Sequence, residues 1–330
     1  MAPRHLFVGN LALDDMVYPN GQTRMAAPGG NSLYAAVGAK IWSDDVGLVA
    51  LVGRDWPDAH TRALQSRGID VTGLTRLPAE TLRSWVLYEP DGRRTYVSRN
   101  SRVGPLTPGP YSSLPPTLEQ VRAFAGAARE THAQMSPTPQ HLPAGYRWPA
   151  SLHLCPMPLP ALLAWELPPS ISMSLDILPF PAGNNLNQPE LLKLLTRADA
   201  FLPSRAEAKL LFPGYNPRRL CRQLAQRGPE VVVIKEGARG SLVYHRQQNR
   251  LWRVPACPAN VVDPTGAGDS FCGGFAVGLA QTGDPLEAAL RGTVSASFVI
   301  EAPGGLHALK TTRAAAQKRL SALKQRLSQP

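Results

Sequence analysis

The stretch Val262-Asp263-Pro264-Thr265-Gly266-Ala267-Gly268-Asp269-Ser270-Phe271 runs directly into the small and apolar sequence Cys272-Gly273-Gly274-Phe275-Ala276-Val277-Gly278-Leu279. A turn of small residues at the start of a helix lets main-chain N–H groups converge on an anion, and the positive end of the helix dipole adds to the attraction. Asp269, at the end of that turn, is placed to take a proton from an attacking hydroxyl while Gly266, Ala267 and Gly268 steady developing negative charge. Phosphoryl transfer depends mainly on such positioning and electrostatics. The plainer reading is that Asp269 caps the helix and the glycines only make a tight turn.

Outward from this segment, short apolar runs alternate with helix-compatible sequence. The runs are Leu6–Val8, Val46–Val52, Ile171–Ile177, Ala200–Leu202, Val231–Ile234 and Ser241–Tyr244. Such alternation predicts an α/β protein with a mostly parallel sheet covered by helices. Residues 84–98 read differently: two β-prone stretches flank Pro90-Asp91-Gly92, which predicts a hairpin, too exposed in composition to be central and suited to a flap. The proline-dense region of about 104–160 reads as a loop-rich insertion with one helix, Leu118–His132. Asp284-Pro285-Leu286-Glu287 predicts a helix start with Asp284 as N-cap, and Leu286, Ala289, Leu290, Thr293 and Val294 as the inward stripe.

The extended pattern D-x-T-G-A-G-D-S-F followed by a glycine-bearing apolar helix resembles the second signature of the ribokinase-like (PfkB) carbohydrate kinase family. The resemblance implies a three-layer α/β sandwich with helices on both faces of the sheet and a small β lid. It implies one kinase domain over residues 1–330, its lid drawn from about 10–30 and 83–100. The implied activity is ATP-dependent phosphorylation of a hydroxyl on a small sugar or polyol, with Asp269 as base and Gly266-Ala267-Gly268 as anion hole. Asp263 would lie beside an alkali cation such as K⁺, and Thr265 beside the nucleotide.

Other segments carry the resemblance across most of the chain outside the proline-rich region. Gly9–Asp14 is similar to the family's first strand and the aspartate that binds substrate hydroxyls, here Asp14. Pro28-Gly29-Gly30-Asn31, with the helix from Tyr34 to Ala39, is similar to the substrate-binding Gly-Gly turn; Val49–Asp55 and Arg67–Asp70 also fit. Val231–Gly240 resembles the strand and G-x-x-G turn that cradles ATP, placing Lys235, Gly237 and Gly240 near the nucleotide; alone, that turn reads as a hairpin. The family's N-x-x-E motif stands here as Ser204-Arg205-Ala206-Glu207. Glu207 would act on Mg²⁺ through water, and Ser204 would lie at the nucleotide; the alternative is a helix cap formed by Ser204 and Glu207.

Tyr34 stands where many sugar-binding members carry asparagine. It is either a stacking and hydrogen-bonding group for a different polyol, a substituted sugar or a ring, or a packing residue. Arg93, Arg94 and Arg99 either meet an anionic substituent, Arg99 being the one assigned to substrate, or are solvated flap charges. Asp176 is either a polar group near the phosphates or a strand-end turn residue. A nucleoside or inositol kinase of the same fold, and a catalytically silent binder, remain as alternatives.

The 330 residues carry a formal charge of +11 and are 43% hydrophobic, enough to bury a large core. The basic residues form no block, which argues against nucleic acid as partner. Cys155, Cys221, Cys257 and Cys272 lie far apart with no C-x-x-C pair, which argues against zinc or redox chemistry. No run suits a bilayer or a signal peptide, so the expectation is a cytoplasmic protein without membrane contact. The β-prone flap edges suit a homodimer formed through the lid.

Overall fold

The computed structural model describes residues 2–88, 94–99, 107–108, 132–146, 149–178, 189–212, 214 and 216–328. The strands are β1 (His5–Val8), β2 (Ala12–Val17), β3 (Thr23–Gly29), β4 (Val46–Val52), β5 (Ile69–Arg76), β6 (Leu82–Tyr88), β7 (Arg94–Arg99), β8 (Thr107–Pro108), β9 (Ser151–Leu154), β10 (Ser172–Leu175), β11 (Ala200–Phe201), β12 (Val231–Lys235), β13 (Ser241–His245) and β14 (Arg250–Val254). The helices are α1 (Asn31–Lys40), α2 (Asp58–Gln65), α3 (Leu159–Leu163), α4 (Pro189–Leu195), α5 (Arg205–Leu211), α6 (Pro217–Ala225), α7 (Ala267–Thr282), α8 (Pro285–Val299) and α9 (Arg313–Ser328).

Among these residues the main sheet runs in the order β14-β13-β12-β11-β10-β9-β1-β4-β5. It is parallel from β5 through β12; β13 alone runs the other way, and β14, antiparallel to it, returns to the common direction. Strands buried on both faces explain the nearly unbroken apolar runs in β4 and β12, every residue of which is buried. Their side chains alternate between two cores. Phe7, Leu48, Ala50, Val231 and Val233 pack with α1, α7, α8 and α9, whereas Leu6, Val8, Val49, Val232 and Ile234 pack with α3, α4 and α6. Each fully buried side chain of this kind contributes roughly 1.5–3 kcal/mol, and together they hold the sheet rigid beneath its carboxyl edge.

A second sheet of order β3-β2-β6-β7-β8 stands apart from the first. β6 and β7 pair antiparallel, as the hairpin expectation required, although the Pro90–Gly92 turn lies outside the described residues. β2 pairs parallel with β6 and antiparallel with β3. Asp15, fully buried, fastens these strands: Arg83 donates to its carboxylate at 2.7 and 2.9 Å, and Ala26 N–H donates at 2.7 Å.

One expectation needs correction. The proline-rich stretch does not extend as loop to residue 160, because Ser151–Leu154 forms β9, a central strand between β1 and β10. Its four residues lie close to Pro149, Pro156 and Pro158, which masked the run in the sequence. The expected Leu118–His132 helix falls outside the described residues except at its last position. The Asp284 cap is present, its carboxylate accepting from Leu286 N–H at 2.9 Å, with Ala289, Leu290, Thr293 and Val294 buried and Leu286 packed at the margin.

Candidate active site

The parallel strands end on one edge, and the side chains singled out in the sequence gather there, where open α/β sheets bind ligands. α7 begins at this edge. Its N-cap, Gly266, has φ 73° and ψ 5°, a left-handed conformation that costs glycine little. The first helical bond is Ser270 N–H to Gly266 O at 2.8 Å. Ala267 N–H turns back to Pro264 O at 3.2 Å. Of the three residues read as an anion hole, Ala267 therefore has its donor engaged within the turn, and with Ser270 N–H already in the helix ladder the burden falls on Gly268. Asp263 is buried and shapes the approach, its Oδ1 accepting from Thr265 N–H at 2.9 Å.

Asp269 sits on the first turn of α7, partly open to solvent. Burial of its surroundings pushes its carboxyl up to about 6; Lys235 pulls the other way, and Glu207 adds to the rise. Beneath the turn lies Lys235, the last residue of β12, whose Nζ would stand 3.5 Å from a Cβ at Gly268. Lys235 donates to Asp176, just past β10, and to Cys272 Sγ on α7 at 3.3 Å. Burial works against the lysine's charge, but Asp176, Cys272 and Glu207 outweigh it and hold Lys235 protonated. The Asp176 carboxyl is pushed up by burial against the pull of Lys235.

Ser204 bridges Lys235 in parallel and caps α5. Its Oγ accepts from Glu207 N–H at 3.2 Å while the Glu207 carboxylate accepts from Ser204 N–H, a reciprocal box. The helix-cap reading of this motif holds, and the buried Glu207 also acts electrostatically on Asp269 and Lys235. The Gly237–Gly240 turn follows β12, closed by Gly240 N–H to Gly237 O at 2.9 Å. Beside it the buried Glu236 is gripped by Arg205 at 3.0 Å and Arg253 at 2.9 Å. That clamp joins three separate elements and was not read from the sequence.

On the second sheet Asp14 is buried against Gly29, whose absent Cβ makes room for its carboxylate. Asn31, expected to contact substrate, engages main chain with both ends of its amide. Its Oδ1 accepts from Asn10 N–H at 2.8 Å and its Nδ2 donates to Pro156 O at 2.7 Å, tying the loops after β1 and β9 together. Gly30 is the N-cap of α1, in line with these loops. In the backbone register Arg99 of β7 pairs with Arg83 of β6, next to the pairing of Ser98 with Ser84, which in turn aligns with Asp14. Tyr34 is 2% exposed and offers no ring face for stacking, a correction to that part of its reading. Arg93 lies outside the described residues.

No group of three His, Cys, Asp or Glu side chains able to hold a metal ion occurs among the described residues, and no described helix is long and apolar enough to cross a membrane. Carboxylates able to act on a hydrated ion are nevertheless present in Glu207 and Asp176.

Comparison with known proteins agrees with this arrangement. Residues 175–312 match the pfkB family carbohydrate kinase description, a span that holds Asp176, Glu207, Lys235 and Asp269. A cytidine kinase of Thermococcus kodakarensis is 27% identical over 286 residues, 86% of this chain and 91% of that protein. The ribokinase of Giardia lamblia superposes with a TM-score of 0.74 at 17% identity, over 98% of this chain and 99% of that one. A ribokinase II candidate from E. coli, in complex with ATP and Mg²⁺, gives 0.69 at 19% identity over 97% and 99%. The signature turn, the buried charges around it and these likenesses make the chain similar to the pfkB family carbohydrate kinases and support a phosphotransferase with their fold.

Proposed function

We propose that the protein transfers the γ-phosphoryl group of ATP to a hydroxyl of a small sugar or polyol, with Asp269 as general base. The observation that carries this reading is Asp269 itself, at the start of α7 after a left-handed glycine turn, with a carboxyl raised to about 6 and a buried lysine below. A base so poised is ionised at neutral pH yet basic enough to receive a proton as the acceptor oxygen attacks. The new bond forms between that oxygen and the γ-phosphorus, the bond to the bridging oxygen breaks, ADP leaves, and the proton stays on Asp269.

Gly268 N–H would face the charge that develops on the transferring group, and Lys235 would add a fixed positive charge beneath it. Magnesium, when bound with the nucleotide, neutralises phosphate charge while keeping most of its water, which suits Glu207 acting through water better than a protein-built metal cage. The exposed Gly237–Gly240 turn would border the nucleotide, and Asp14 on the second sheet would orient the acceptor. Closure of that sheet over the site would exclude water.

A nucleoside acceptor is favoured by one further observation. Tyr18 and Tyr88 stack at 5.1 Å on the second sheet, along the strands that carry Asp14 and Ser84, and make an aromatic surface suited to a base. The cytidine kinase likeness supports the same reading. Incubating the protein with MgATP and, in turn, ribose, hexoses, inositols and nucleosides, then identifying phosphorylated product by mass spectrometry, tests the proposal. A phosphomonoester from one class supports it and names the acceptor; ADP formation without a phosphorylated acceptor in any class would contradict it.

A further inference from the structure

Strand β3 of the second sheet carries a strained residue. Ala26 has φ 51°, a left-handed conformation that a residue with a Cβ rarely adopts. It lies at a bulge, where the β2–β3 register shifts and Met25 and Ala26 together oppose Asp15. Strain of this kind persists only where the surroundings hold it. Here Ala26 N–H donates to Asp15 Oδ1 at 2.7 Å, and Ala26 O accepts from Nε2 of His60, on α2, at 2.8 Å. A carbonyl only accepts, so His60 Nε2 carries the hydrogen. Two residues before Ala26, Arg24 donates to Pro303 O at 3.1 Å, in the loop that follows α8, and a Cβ at Gly304 would stand 3.4 Å from its guanidinium. β3 is thus fastened to the body of the molecule at Arg24 and at Ala26.

The loop that Arg24 reaches also supports the signature turn. Ile300 O accepts from Val262 N–H at 2.8 Å and from Asp263 N–H at 3.1 Å, where the signature begins. Gly305 packs on the Tyr34 ring, against which Gly266 also rests. The loop is itself braced, since Arg67 donates to Leu306 O at 3.1 Å and the His307 ring nitrogens lie 2.6 Å from Gly304 O and 2.9 Å from Phe298 O. Tyr18, just past β2, lies in the field of both sides: burial and the Asp263 charge push its phenol up, and Arg24 draws it down.

We propose that Arg24 and His60 are positioning residues that clasp the second sheet in its closed position, and that Arg24, through Pro303 and Ile300, sets the Val262–Asp263 start of the signature turn as the sheet closes. This rests on the reading of the chain as a kinase that closes that sheet over its acceptor. Both bonds end on main-chain carbonyls and the Arg24 bond is exposed, so each is weak singly and the clasp opens and re-forms with each turnover. With the sheet open, the loop lacks its Arg24 bond and the turn lacks part of its support. The turn is then fixed only when the sheet lies over an acceptor, which limits phosphoryl transfer to water.

The test compares wild type with Arg24→Ala, Arg24→Lys and His60→Phe, the last keeping an aromatic ring against Trp56. Hydrogen exchange of the unliganded proteins, read by mass spectrometry, is expected to be faster in Arg24→Ala over residues 23–29, 300–306 and 261–265, and in His60→Phe over 23–29. With MgATP and the acceptor that wild type phosphorylates, Arg24→Ala raises the acceptor KM ~3–10-fold, the effect of losing one bond of this kind. It also raises the ADP formed per phosphorylated acceptor, while the KM for ATP stays level. Arg24→Lys, which keeps a donor, recovers most of both. Unchanged exchange over 261–265 and 300–306 in Arg24→Ala overturns the inference whatever the activity. Faster exchange with an unchanged acceptor KM and an unchanged ratio of ADP to product overturns it too, because the clasp then has no part in the reaction. If wild type phosphorylates no acceptor, the kinase reading has failed on its own, and the coupling of sheet to turn is decided by exchange alone.

Discussion

At the scale of single residues, function rests on how the surroundings set one carboxylate. Because Asp269 must be ionised to take a proton and burial raises it to about 6, kcat/KM should climb with pH to half its plateau near pH 6 and stay level above. A pH–rate profile from pH 4.5 to 8.5 checks this, and a flat profile across pH 6 would assign the proton to another group. Asp269 was legible in the sequence because its chemistry is local: turn, helix start and base occur within a few residues. The contacts that tune it were not. Lys235 bonds Asp176 across 59 residues and Cys272 across 37, and no spacing rule reports such meetings. Asn31 shows the converse, a motif residue whose amide serves the main chain.

At the scale of elements, α1 and α7 cross closely enough to exclude side chains. A Cβ on Gly273 would overlap Ala35 O of α1, and one on Gly38 would overlap Ser270 O of α7. Gly273→Ala should therefore cost about 1–3 kcal/mol through forced separation of the two helices, read as a lower midpoint in denaturant unfolding. Kinase activity should fall as well, since α7 carries Asp269. Stability equal to wild type would show that the helices part without strain. Strands buried on both faces, such as β4 and β12, were plain from their apolar runs. β9 was hidden by its brevity and by neighbouring prolines, and β5 by the break that Gly73 makes in its alternation, where the register with β4 also shifts.

At the scale of the molecule, the second sheet is built as a separate body pinned to the first. Asp15 is fully buried beneath Arg83, whose side chain keeps about a quarter of its exposure. Asp15→Ala should cost about 2–3 kcal/mol, below the 3–5 of a fully buried pair because water can still reach the stranded guanidinium. Thermal unfolding with and without 1 M NaCl, about the level at which the Debye length shrinks to ~3 Å, checks this; a loss that disappears in salt would point to a surface pair instead. The connection between sheets is pinned by Asp55, which accepts from Thr81 N–H at 2.7 Å and Thr81 Oγ1 at 2.8 Å, and by Gly53 N–H donating to Thr81 Oγ1 at 2.9 Å. Asp55→Ala should loosen this joint and raise acceptor-independent ATP hydrolysis relative to phosphorylation, because water is then excluded less well. An unchanged ratio of the two would show that the joint has no part in sealing the site.

The most direct measurement is acceptor-stimulated ADP release by wild type and Asp269→Asn, with folding of both checked by circular dichroism. A folded Asp269→Asn protein whose turnover falls by about 10²–10⁴, with its affinity for ATP retained, is the predicted result. Turnover within a few-fold of wild type in that variant would contradict the assignment of Asp269 as the base.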